Sequence, residues 1–234
     1  MRPFPLGIAV LLTATTHLNA QVGHAPDRSP YSDLLTNHNI SVLYHLVGGS
    51  GGVVDVGPTS GNAIGVRYTI RLGTPSEIHA GFWVGDFDRL VIDPAQAPAN
   101  REVENTTSRM TGIEVGVNWL LTGKKSWHRL APYFGTSFGI LFGGTIPTDP
   151  GAFGFNAKFT AAPSIGVRWH PTNGIALRVE ARDILWKLTY PNSYFFEPEF
   201  GPGTAPVLDS ATQTDSEWTH QPTLTFGLAY TFRY

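Results

Sequence analysis

The sequence predicts an all-β chain closed into an eight-stranded antiparallel up-and-down transmembrane β-barrel, and three observations carry that expectation. Eight segments place large apolar residues at every second position, the connections between them alternate long and short, and no run of eighteen apolar residues offers a membrane helix. Composition agrees: of 234 residues only 15% are charged and 12% are aromatic, with 26 Gly and 18 Pro, which favours strands and turns over long helices. The chain has no Cys, so hydrogen bonding and packing must hold it together. A formal charge of −2 argues against a nucleic-acid partner, which would want a basic surface.

The elements follow in order. Arg2 and the apolar run Leu6–Ala14 have the form of a secretory signal peptide over residues 1–20, cleaved after Ala20. Residues 21–37, with Pro26 and Pro30, read as a flexible periplasmic lead-in, and the barrel is expected over 38–234. Strand one sets Ile40, Val42, Tyr44 and Leu46 on one face, before a glycine-rich connection over 48–61. Strand two sets Ile64, Val66, Tyr68, Ile70 and Leu72 against Gly65, Arg67, Thr69 and Arg71, and 73–76 is a tight turn by composition. Strand three sets Ile78, Ala80, Phe82 and Val84 against Glu77, His79, Gly81 and Trp83, and a polar connection is expected over 88–108.

Strand four opposes Ile113, Val115, Val117 and Trp119 to Glu114 and Asn118, and a basic turn spans 122–130. In strand five Phe134, Phe138, Ile140 and Phe142 share a face, before a loop over 143–154. Strand six runs from Phe155 to Trp169, with Pro163 expected to mark a bulge because it removes a ladder donor. Strand seven opposes Ile175, Leu177, Val179 and Ala181 to Arg178, Glu180 and Arg182; after Asp183 the hydropathy pattern slips phase, and a second bulge is expected there. The longest loop, 189–217, leads to the last strand, where Leu224, Phe226, Leu228, Tyr230, Phe232 and Tyr234 alternate with small or polar residues.

Four long connections on one side and short turns on the other are what an outer-membrane barrel shows, with long extracellular loops and both termini periplasmic. A soluble sandwich has no reason to sort its connections this way. The apolar face would meet lipid, with Trp119, Trp169, Phe232 and Tyr234 as an aromatic girdle. The opposite face carries Arg67, Arg71, Glu77, His79, Glu114, Asn118, Lys158, Arg168, Arg178, Glu180, Arg182 and Arg233. An eight-stranded barrel is just wide enough for side chains to fill, so these residues are expected to form a packed polar network in the lumen.

On this alternation, loop order and terminal aromatic pattern the chain resembles the transmembrane domain of the outer membrane protein A family and other small eight-stranded bacterial outer-membrane barrels. The resemblance covers residues 38–234 in pattern and implies an outer-membrane location and contact with outer-membrane lipid and lipopolysaccharide. It also implies an assembly signal for the barrel-assembly machinery in Phe226, Leu228, Tyr230, Phe232 and Tyr234.

Three candidate sites remain. Val47, Trp83, Phe87, Leu141 and Trp186 face inward near the upper end, where they either admit a small hydrophobic ligand or plug the mouth. Tyr194, Phe195, Phe196 and Phe200 in the longest loop are candidate contacts for a lipopolysaccharide sugar or a protein partner. Of catalytic groups, only Asp86, Asp88 and His220 are expected near the extracellular rim, without a His-x-Ser pattern; no metal-ligand spacing, phosphate loop or cofactor motif is present. The expected function is therefore a non-enzymatic barrel with a structural or surface-interaction role. The alternative is a transporter or enzyme acting on a lipid or small hydrophobic molecule through the upper lumen.

Overall fold

The computed structural model describes residues 29–197 and 205–233; the expected signal peptide, residues 21–28 of the lead-in, Phe200 and Tyr234 lie outside them. Its strands are β1 (Tyr31–Asp33), β2 (His38–Val47), β3 (Gly61–Arg71), β4 (Ser76–Ile92), β5 (Glu102–Leu120), β6 (Lys125–Trp127), β7 (Leu130–Thr145), β8 (Gly154–Trp169), β9 (Ile175–Thr189) and β10 (Ser216–Phe232). Eight of them close a ring in the order β2, β3, β4, β5, β7, β8, β9, β10, with β10 returning to β2 and every pairing antiparallel. Closure leaves no sheet edge exposed, the condition that lipid imposes on a strand structure. The end with the long connections is called upper below, and the end with the short turns lower.

The alternation fixes the two walls. Ile64 and Val66 on β3, Phe134 and Phe138 on β7 and Leu228 and Tyr230 on β10 are exposed on the outside, while Arg67, Glu114, Arg178 and Glu180 are buried within. A wall of large apolar side chains around a charged interior is the reverse of a soluble core and matches a barrel seated in lipid.

Four details differ from the sequence expectation. The first lies in the lead-in, where residues 31–33 form β1 and pair with β6 in the turn between β5 and β7. Leu34 then donates to the Lys124 carbonyl at 2.8 Å and packs on Leu120, Ala131 and Tyr133, so this segment lies across the lower mouth. Second, the expected loop over 88–108 is mostly strand: β4 and β5 stay paired from Asp88–Thr107 to Ile92–Glu102, beyond the last pairs that either makes with its other neighbour.

Third, no bulge accompanies Pro163. The β8–β9 ladder omits Ala162 and Pro163 and resumes at Ser164–Arg182 in the same register; the proline costs a hydrogen bond without inserting a residue. Fourth, β9 keeps its phase through Asp183. Its even-numbered residues stay buried from Ala176 to Leu188, and its pairing with β10 shows no shift. What changes at Asp183 is the lumen, which is charged below and apolar above.

Candidate functional site: a filled lumen under a loop crown

The lower lumen is a connected set of guanidinium and carboxylate groups delivered by five strands. Arg67 on β3 reaches across to Glu180 on β9, donating through Nη1 to Oε2 at 2.9 Å, and to Glu114 on β5 through Nη2 at 2.9 Å. Arg182 on β9 grips the same Glu114 with both terminal nitrogens, one at 3.0 Å, and donates to the Ser137 hydroxyl at 3.2 Å. Lower down, Glu77 on β4 accepts from both terminal nitrogens of Arg168 on β8 and from Arg71 at 3.4 Å, whose other nitrogen donates to the Leu34 carbonyl at 3.0 Å. Tyr133 donates to Glu180 at 2.7 Å, and the guanidiniums of Arg168 and Arg178 lie 4.9 and 5.7 Å from its ring centre. Charges this deep are tolerable only when paired across the barrel, and the pairs close its bore.

Of the residues expected in this network, Arg67, Arg71, Glu77, Glu114, Arg168, Arg178, Glu180 and Arg182 come together. His79 and Asn118 are buried in the same lumen without a hydrogen bond to it among the described residues; the His79 ring lies where a Cβ on Gly116 would come within 2.6 Å. Lys158 and Arg233 fall outside. Lys158 stands near the upper end of β8 and donates to Thr189 Oγ1 at 3.1 Å, while Arg233 lies beyond the end of β10, exposed. Both have inward parity, but Lys158 pairs with Leu141 at the level of the apolar cluster, and Arg233 follows the last residue of β10.

At the lower mouth, β1 and the residues after it line a cavity of about 320 Å³ together with Ser126, Arg129 and His170–Asn173. Burial, then the charges of Arg168 and Arg71, push His170 down to about 4, so it stays neutral there.

Above the charged tier, Val47, Trp83, Phe87, Leu141 and Trp186 do come together, in one cluster with Ile184, Leu188, Phe153 and Phe155. Trp83 rests against Gly112, and Trp186 meets Phe155 edge-on at 5.5 Å. Phe155 reads as lipid-facing by alternation; Asn156, at φ 56°, adopts the left-handed conformation and turns Phe155 inward. The upper loops complete the cluster by lowering Val56, Tyr190, Tyr194 and Leu208 onto it. These five residues are therefore in one packed cluster with residues of the β2–β3, β7–β8 and β9–β10 loops.

Two polar clamps hold the crown. Arg89 near the top of β4 pairs with Asp149 of the β7–β8 loop, both buried, and its guanidinium lies 4.8 Å from the Phe153 ring. Glu217 accepts from the Tyr190 hydroxyl and from the Val53 amide at 2.7 Å, tying the β9–β10 loop to the β2–β3 loop. Sequence reading missed both, because Arg89 and Asp149 lie sixty positions apart in segments that read as polar loop. Of the loop aromatics, Tyr194 is wholly buried, Phe195 is half-buried and Phe196 is 67% exposed.

His220 joins neither Asp86 nor Asp88. It meets Asp183 at 2.7 Å on the outer wall, while Asp86 pairs with Arg109 at 2.9 Å and Asp88 accepts from the Ser60 hydroxyl at 3.0 Å. Residues 220 and 183 have outward parity on adjacent strands, a signal that register would have supplied.

No family model matches the chain. No curated protein sequence matches it either. Among solved structures, Neisserial surface protein A superposes with a TM-score of 0.50 at 11% identity, over 83% of this chain and 97% of that one. The attachment invasion locus protein Ail of Yersinia pestis gives 0.40 at 12% identity, over 84% and 99%, and the outer membrane enzyme PagL gives 0.37 at 9%, over 83% and 99%. At these identities the likeness is one of fold: the chain has the eight-stranded fold of small outer-membrane barrels. A fold does not fix a function, so function has to be argued from the sites.

Proposed function

We propose that this chain is a non-enzymatic outer-membrane barrel, shut to solutes, whose working part is the crown of loops at its upper end in a structural or surface-interaction role. The observation that supports this best is the double closure of the lumen, first by the tier of Arg67, Glu114, Glu180 and Arg182 and then by the apolar cluster around Trp83, Phe87 and Trp186. On this reading the crown is extracellular, both termini are periplasmic, and the outer wall meets lipid and lipopolysaccharide. The terminal aromatic alternation serves the assembly machinery.

The crown's chemistry narrows the partner. Residues 190–217 contain no Lys or Arg but carry Glu197, Glu199, Asp209, Asp215 and Glu217, so an anionic polymer is repelled and a neutral or cationic protein surface is favoured. Phe196 and Trp218, 67% and 60% exposed, supply aromatic anchors of the kind that dominate interfaces. A ligand in the upper lumen draws no support from residues already packed against one another, and His220 engages Asp183 without a hydroxyl nucleophile bonded to it.

Single-channel recording of the refolded protein in a planar bilayer tests the closure. The expected result is a quiet membrane. Regular openings of porin size would overturn the proposal.

A further inference from the structure

The lower lumen is not neutral. Five guanidiniums, Arg67, Arg71, Arg168, Arg178 and Arg182, face three carboxylates, Glu77, Glu114 and Glu180. Four of the arginines donate to a carboxylate. Arg178 does not: its nearest carboxylate oxygen, Glu180 Oε2, is 3.9 Å away and already accepts from Arg67 and Tyr133. All three of its guanidinium nitrogens are buried without a hydrogen bond among the described residues. Register explains why. The cross-strand neighbours of Arg178 are Arg168 on β8, a like charge, and Gly227 on β10, beyond which comes Leu43. Like charges directly opposite are unfavourable, and an uncompensated charge sealed from water costs far more than a neutral group. Elsewhere in the lumen, both ring nitrogens of His79 are likewise buried without a hydrogen bond among the described residues.

We propose that the lower lumen holds one small inorganic anion of chloride size, bound by the guanidinium of Arg178. A monovalent anion offsets the unpaired charge of Arg178, one of the two in surplus, accepts N–H donors from any direction and tolerates the apolar sides given by Leu43 and the Tyr133 ring. Because both ends of the bore are closed, the anion is captured as the barrel assembles, and it acts as part of the core.

The test uses the full chain refolded in detergent. Crystals grown in bromide should show an anomalous peak at Arg178 that is absent from Arg178→Met. At constant ionic strength, replacing isethionate by chloride should raise the folding equilibrium constant by up to tenfold per tenfold chloride, the limit for one site. The dependence should vanish in Arg178→Met and persist in Arg109→Met, which alters only the exposed Asp86 pair. Ordered water at Arg178, bromide at exposed cations as an adventitious ion only, or equal chloride dependence in wild type and Arg178→Met would each overturn the proposal. Should Arg178→Met fail to assemble, the bromide map of the wild type still decides.

Discussion

Glu114 holds two guanidiniums at once, those of Arg67 and Arg182, and its loss leaves Arg182 without the carboxylate it grips. Removing one partner of a buried pair typically costs about 3–5 kcal/mol, because the other charge is left without compensation. Glu114→Gln is expected to lower stability by about that much, read as the urea midpoint of the folded band on unheated gels; an unchanged midpoint would place the carboxylate in water. Tyr190 makes a different test. Burial first, then its bond to Glu217, raises its hydroxyl above the ordinary tyrosine value. The folded value exceeds the unfolded one, so its contribution is complete below the ordinary value of about 10 and is lost as pH climbs from there through the folded value. Difference absorbance between wild type and Tyr190→Phe should place its ionisation later than that of free tyrosine, and ionisation at the free value would contradict the clamp.

At the scale of elements, β9 shows what alternation reveals and what it hides. From Ile175 to Arg182 the pattern is plain because the lumen there is charged. From Ile184 to Leu188 the inward residues turn apolar while Asp183 and Lys187 face outward, so hydropathy inverts although the backbone does not. A period-two reading takes that inversion for a bulge, and only register distinguishes the two. Pairing across the barrel was equally out of reach, since alternation puts Arg67, Glu114 and Glu180 on one face without saying which strands face each other over the bore. The loops were least legible. Arg89 and Asp149 look like solvated charges until β4 and the β7–β8 loop are brought together. Asp149→Asn is expected to free that loop while the ring stays intact, so trypsin should cleave near 144–153 at an engineered lysine faster than in the parent, with no change in the heat-shifted band. Equal cleavage would mean that the apolar cluster alone holds the loop.

For the molecule as a whole, closure of the ring between β10 and β2 decides everything else. Once the ring closes, inside and outside are fixed by parity, and eight strands leave a bore narrow enough for arginine and glutamate to span it. The sequence already showed the strand number, the sorting of long and short connections and the two faces. Its chemistry pointed to a packed lumen, and the structure adds that β1 lies across one mouth and the loops cover the other. The claim on which the account rests is that this parity holds in a bilayer along the whole of β10. Because the chain has no native Cys, single cysteines can be placed at 224–230 and spin-labelled in liposomes. Collision with oxygen dissolved in the lipid should be high at positions 224, 226, 228 and 230 and low at 225, 227 and 229; a flat profile, or one with the opposite phase, would contradict it.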